Sequence, residues 1–188
     1  MGEPFDELMS MLDSPVFVVT TQVDGQPSGC LVNFATQVGV RPSRFIIAIA
    51  KTSRACAVAN RATHLAVHML SQGQHGLAEL FDDQTGDETT KFARCSWRGG
   101  PQGMPVLDDA AAWFVGRTLD RADFGDHMGY LLEPAGVWAP ENPEDFLYLS
   151  DLDDEDSRGD EEPQRFFDRE PVEQPRRYGV PRFTLDRF

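Results

Sequence analysis

Residues 28–54 read SGCLVNFATQVGVRPSRFIIAIAKTSR, and the fold turns on how this stretch is parsed. Its first half is strand-like, Arg41-Pro42-Ser43-Arg44 is a turn, and Phe45-Ile46-Ile47-Ala48-Ile49-Ala50 is a second strand. That second strand is apolar on both faces, so it is expected in the interior of a sheet. Lys51, Thr52 and Ser53 follow directly, and Ala55-Cys56-Ala57-Val58-Ala59 then favours helix. Thr52 or Ser53 can cap that helix and leave backbone N–H groups facing outward. Joined to the helix dipole and the Lys51 ammonium, the corner has the chemistry of a small anion site, and a phosphate suits it. An ordinary helix cap is the plainer reading of the same residues.

Upstream, Val16–Val23 is rich in β-branched residues, and Asp24-Gly25 signals a hairpin. The return strand is then the first half of the opening stretch, making an antiparallel meander. Pro4–Leu12 can form a short helix with Phe5, Leu8, Met9 and Leu12 on one face. Downstream, the pattern predicts a helix over Ser53–Arg61 and a strand over Thr63–Leu70. In that strand Leu65, Val67 and Met69 oppose His64, Ala66 and His68. A helix over Gln74–Phe81 places Leu77, Leu80 and Phe81 together. Asp82–Glu88 reads as a polar loop, and Thr90-Lys91-Phe92 opens a Gly- and Pro-rich region. Long strands are expected over Ala110–Leu119 and His127–Trp138, turning at Asp123–Asp126, with an edge strand at Phe146–Leu149. Strands joined by hairpins, with helices inserted between some of them, describe a small antiparallel barrel, mainly β.

The 188 residues suit one packed domain over 1–150, followed by a tail over 151–188. That tail begins with eight acidic residues and one arginine between Asp151 and Glu162. Beyond them Phe166, Phe167, Tyr178, Phe183, Leu185 and Phe188 alternate with Arg and Pro, as in a segment lying across a surface, such as that of a partner subunit. The formal net charge of −14 argues against nucleic acid and anionic membranes as partners. No apolar run approaches the roughly 20 residues of a membrane span, and the acidic N-terminus lacks a signal-peptide pattern. A soluble, cytoplasmic protein is expected. Cys30, Cys56 and Cys95 show no CxxC spacing and read as small buried thiols. His64, His68 and His75 have no carboxylate at ligand spacing, so no metal site is expected. Ser28-Gly29-Cys30 lacks a base partner for hydrolytic chemistry, and no Rossmann or P-loop glycine pattern occurs. Trp113, Trp138 and the phenylalanines are read as core.

From Pro15 to Leu149 the chain resembles the flavin-reductase-like family of FMN-binding split barrels. Four blocks carry the resemblance. They are Gly29–Pro42; Ala50-Lys51-Thr52-Ser53; Val67-His68-Met69-Leu70-Ser71 with Gln74, Leu77-Ala78 and Phe81; and Gly103-Met104-Pro105-Val106-Leu107 with Ala110–Trp113 and Gly125-Asp126-His127. The resemblance implies an antiparallel split barrel of Greek-key type with two or three short peripheral helices. It also implies a homodimer holding flavin in a groove at or near the subunit interface. Asn33, Phe34, Ala35 and Thr36 match the run that holds the isoalloxazine ring. Lys51, Thr52 and Ser53 match the run around the flavin phosphate, and His127 matches a histidine near the ring and the nicotinamide site. Phe34 stands where the family often has a small hydroxyl residue, and Gln37 and Gly39 replace common serines. Backbone N–H donors are therefore expected to carry the ring contacts.

The function so implied is FMN-dependent oxidoreduction. NADH or NADPH gives hydride to the flavin, FAD is the alternative nucleotide, and a partner monooxygenase can receive the reduced flavin. A flavin carrier or redox sensor without turnover is the alternative, and a deazaflavin or haem in the same barrel is a third. A flavin site demands little of the protein beyond orientation, a phosphate pocket and one open face.

Overall fold

The structure is a computed structural model, and it describes residues 3–82, 88–142 and 144–156. The expected tail segment beyond 156 lies outside the described residues, as does most of the expected 82–88 loop. The order is α1 (Glu3–Ser10), β1 (Phe17–Val23), β2 (Gln26–Val32), β3 (Ala35–Val40), β4 (Ser43–Ala50), α2 (Arg54–Ala59), β5 (His64–Met69) and α3 (His75–Asp82). It continues with α4 (Glu88–Ala93), β6 (Trp97–Gly99), β7 (Pro105–Leu107), β8 (Ala112–Asp123), β9 (His127–Trp138) and α5 (Leu149–Asp156).

Seven strands form one antiparallel sheet in the order β2-β1-β5-β8-β9-β4-β3, and β6 pairs with β7 alone. The expected mainly β architecture is present. The ladder does not close, because β2 and β3 are its two unpaired edges. A flat sheet would hold β2 and β4 about 24 Å apart, five spacings of roughly 4.8 Å. Instead Cys30 and Val32 of β2 share one core with Ile47 and Ile49 of β4, so the sheet curls until its ends meet. Helix α2 plugs the seam with Ala55, Cys56 and Ala59. Each large apolar side chain buried there contributes about 1.5–3 kcal/mol.

Strand β1 opens on the apolar run Phe17-Val18-Val19, and both its faces are covered there. Phe17 and Val19 face the inner core, while Val16 and Val18 join Phe81, Phe92 and Leu147 in an outer cluster under α3 and α4. His68 stitches this outer layer to the sheet. Its Nδ1 lies 2.9 Å from Val18 O, and its Nε2 accepts the Leu107 N–H at 3.1 Å.

Several expectations are corrected. The opening stretch is not a single strand before its proline turn; it breaks at Asn33-Phe34, where Ala35 N donates to Asn33 O at 3.1 Å and the chain leaves one sheet edge for the other. Residues 146–148 make only isolated bridges to Pro15 and Ser71. A helix, α4, occupies Glu88–Ala93, where no helix is expected. Trp138 is 47% exposed and stacks on Trp113 at 6.5 Å, and Phe34 and Phe124 are more than half exposed, so Trp138, Phe34 and Phe124 are not core. Helix α5 runs across the expected boundary at 150, and Leu152 packs on the outer cluster. Cys30 and Cys56 are buried free thiols, as expected. Burial pushes the Cys30 thiol up to about 12, which keeps it protonated and unreactive.

Candidate functional site

The break at Asn33-Phe34 matters because it opens the sheet face beside β4. Phe34 O accepts the Ala48 N–H at 2.8 Å, so the chain rejoins the ladder as soon as it re-enters an extended course. Across the other side of β4, Ala50 pairs with His127 and Ala48 with Gly129. Three segments thus converge: Phe34–Thr36 at the start of β3, Ile46–Ala48 of β4, and Phe124, Asp126 and His127 at the β8–β9 tip. Together they line an open cavity of 410 Å³. Its walls are chiefly aliphatic and aromatic. Ile47 and Ile49 are buried as expected of an interior strand, whereas the Ile46 and Ala48 face is only half covered and forms a wall of the cavity.

Thr36, Asp126 and His127 bring hydrogen-bonding side chains to the wall, and His127 is the one with a ring. Its Nδ1 lies 2.9 Å from Asp126 Oδ1, and a carboxylate can only accept, so Nδ1 carries the proton. With its proton on Nδ1, the neutral tautomer offers Nε2 as the acceptor. The imidazole beside it holds the Asp126 carboxyl below its ordinary range. Phe34 meets the His127 ring edge-on, with centroids 5.1 Å apart. Strand β3 is a sheet edge, so alternate backbone amides along it point away from β4 toward open space.

Residues 51–53 sit next to this cavity without lining it. Lys51 N donates to Asp126 O at 2.9 Å, which ties the loop to the hairpin tip. The Lys51 ammonium lies 2.5 Å from Asp123 Oδ1, so it is not a lone cation. That contact and the Gly125 N–H hold the Asp123 carboxyl below its usual range. Ser53 is the N-cap of α2, with extended φ −70° and ψ 136°, and its Oγ accepts the Ala55 N–H at 3.2 Å. The cap expected from sequence is therefore in place, although it consumes one of the amides that an anion could have used. Thr52 is exposed between the two.

Of the residues singled out from sequence, Phe34, Ala35, Thr36 and His127 share the cavity; Asn33, Lys51, Thr52 and Ser53 flank it. Sequence reasoning did not find Ile46, Ala48, Phe124 or Asp123. Only the neighbouring Gly125-Asp126-His127 block pointed toward the hairpin tip. Among the described residues no cluster of three or more His, Cys, Asp or Glu is arranged to hold a metal. Among them, too, no helix is long and apolar enough to cross a membrane.

Comparison with known proteins bears on the same region. The reductase subunit of the stachydrine N-demethylase of Rhizobium meliloti (strain 1021) is 30% identical over 65% of this chain and 52% of its own. An FMN reductase (NADH) of Methylorubrum extorquens (strain DSM 6343 / CIP 106787 / DM4) is 32% identical over 65% of this chain and 60% of its own. The chain thus spans between about a third and three fifths of the curated relatives it matches. Among solved structures, a putative oxidoreductase from Sinorhizobium meliloti 1021 superposes with a TM-score of 0.70 at 26% identity, covering 79% of this chain and 50% of that one. Residues 9–152 match the flavin reductase like domain, a stretch that includes every element lining the cavity, and the chain belongs to that family.

Proposed function

We propose that the chain binds FMN in the cavity between β3, β4 and the β8–β9 tip and acts as an NAD(P)H-dependent flavin reductase. The observation that carries this reading is the cavity itself: 410 Å³, largely apolar, walled by Phe34–Thr36 and His127, with the capped loop 51–53 at its side. A flat, largely apolar tricycle with a polar rim fits those walls. Phe34, Ala35 and Thr36 would hold the ring, with outward amides of β3 reaching its carbonyls. Lys51, Thr52 and Ser53 would flank the ribityl phosphate, and Asn33 at the break would sit with Phe34–Thr36 by the ring. When bound, the flavin supplies the hydride-accepting chemistry. His127, oriented by Asp126 through Nδ1, would position the nicotinamide and offer Nε2 as a hydrogen-bond acceptor at the open face.

Relatives described as reductase components of a demethylase and of a monooxygenase support delivery of reduced flavin to a separate oxygenase. A homodimer in the split-barrel manner fits the apolar rim, since Phe34, Val38, Val40 and Phe124 are each more than half exposed and a second protomer would cover them. The one observation favouring a flavin carrier without turnover is the Phe34 ring against His127, which narrows the approach for a nicotinamide.

The phosphate assignment is tested by fluorescence titration with FMN and riboflavin. The double variant Lys51→Ala, Ser53→Ala should weaken FMN by about tenfold, the scale of a lost charge-assisted hydrogen bond, and leave riboflavin nearly unchanged. Equal losses for both ligands would contradict it.

A further inference from the structure

A separate cavity of 510 Å³, between the β1–β2 turn, α2, α4 and β6, shares no lining residue with the first. It is the first whose wall holds an aromatic ring that the fold itself does not need. Phe124 lines that cavity, and its backbone is fixed. Its N–H donates to His127 O at 2.9 Å, and Gly125, at φ +95°, makes the turn behind it. The ring then folds back over β9. A Cβ built on Gly129 would lie 2.2 Å from Phe124 Cε2 and 2.8 Å from Cζ, so the ring stands in the space that a side chain at 129 would fill. The backbone at 129 does not call for glycine. This residue lies inside β9, between Ala48 of β4 and Ala122 of β8, and its φ is not positive. Glycine weakens a strand interior, and what it permits there is the close approach of another group. Yet Phe124 remains 53% exposed, so its ring is not seated on Gly129 to complete the core.

Residues directly opposite each other in an antiparallel ladder share a face of the sheet. The Phe124 ring therefore stands on the same face as Ala48 and Ile46, which wall the cavity. Strand β3, with Phe34, Ala35 and Thr36, bounds that face on its other side. Because β4 lies between β3 and β9, the two boundaries are two strand spacings of roughly 4.8 Å apart. A fused tricycle laid across β4 with its carbonyls toward β3 brings its opposite, benzenoid end to β9. There the Phe124 ring is the stop.

We propose that Phe124, seated on Gly129, is the specificity-determining residue for the benzenoid end of the flavin. It packs against the two methyl groups of an ordinary flavin and excludes a ring that carries a larger group at the 8-position. The inference rests on the flavin reading above and deepens it, by stating which way round the ring lies and which flavins the site takes.

Roseoflavin, which has a dimethylamino group where riboflavin has its 8-methyl, is the probe, competed against riboflavin and read by riboflavin fluorescence. The parent chain should bind riboflavin about tenfold more tightly than roseoflavin, the scale set by one group too many in an apolar pocket. Phe124→Ala should bind the two alike. Its ring is exposed, so that variant should keep the fold, as unchanged thermal unfolding would show. Gly129→Ala sets a methyl against the far edge of a side chain that can turn, so it should fold with the ring displaced and the preference blunted. Added to Phe124→Ala, it should change nothing further. A parent that binds riboflavin and roseoflavin alike, or a preference that survives Phe124→Ala, would overturn the assignment and leave the flavin reading intact. The same holds if Gly129→Ala shifts the preference equally with and without the Phe124 ring, because the strand surface would then be the discriminator. Failure of both riboflavin and FMN to bind would remove the assignment and the flavin reading together.

Discussion

Charging His68 would break the contact its Nε2 makes. The ring is fully buried, and Nε2 accepts the Leu107 N–H only while it is unprotonated. Burial pushes its pKa from 6.5 down to about 4, outweighing the Val18 carbonyl, which favours the charged ring. The unfolded chain therefore takes up this proton first as pH falls. The stabilisation is present in full above about 6.5 and drains away toward 4, by up to about 3 kcal/mol at 1.36 kcal/mol per pKa unit. Denaturant midpoints measured at neutral and mildly acid pH should show this loss. His68→Gln should be less stable at neutral pH yet lack that part of the slope; an unchanged slope would remove His68 as its source. In sequence, His68 is merely the polar member of an alternating strand. What makes it a pin is the position of Leu107, 39 residues on, which local pattern does not encode.

At the scale of elements, the β8–β9 tip and the loop after β4 act as one unit. Lys51 is joined to the tip twice, through its amide to Asp126 and through its ammonium to Asp123. A phosphate at this corner must share or take that ammonium. Asp123→Asn should then tighten FMN by up to about fivefold, the ceiling for an exposed pair, with riboflavin unaffected and the gain shrinking in high salt. Weaker FMN binding would mean that Asp123 positions the lysine instead of competing for it. The apolar run Phe45–Ala50, its flanking turn and the Ser53 cap were all legible, because strand and cap signals are local. The open face of β4 was not. Periodicity reports that Ile46 and Ala48 avoid water, and it cannot say whether protein or ligand is meant to cover them. The break at Asn33-Phe34 was hidden for a related reason, since β2 and β3 are each strand-like and only their different partners separate them. Helix α4 escaped notice because Glu88-Thr89-Thr90-Lys91 carries no apolar period of its own; its place is set by Phe92 packing on Phe81 at 5.6 Å.

Across the whole molecule, one curled sheet does two jobs. Its inner face makes the core, and its seam and hairpin tip leave cavities along the same short run of chain from Ala48 to Arg54. An antiparallel β fold was readable from hairpin signals and strand lengths. The wrapping that brings β2 against β4 was not, because curvature is a property of all seven strands together. The helix α1 likewise shows its limit: Phe5, Leu8 and Met9 share a face as expected, yet that face stays exposed within the chain. The central claim is that a flavin held in the first cavity accepts hydride from a nicotinamide nucleotide. It is tested most directly by loading the purified chain with flavin, mixing it with NADH or NADPH without oxygen, and following the visible flavin band. The account predicts rapid bleaching that slows in His127→Ala while flavin binding is retained. Flavin that binds but keeps its colour in the presence of both nucleotides would contradict it.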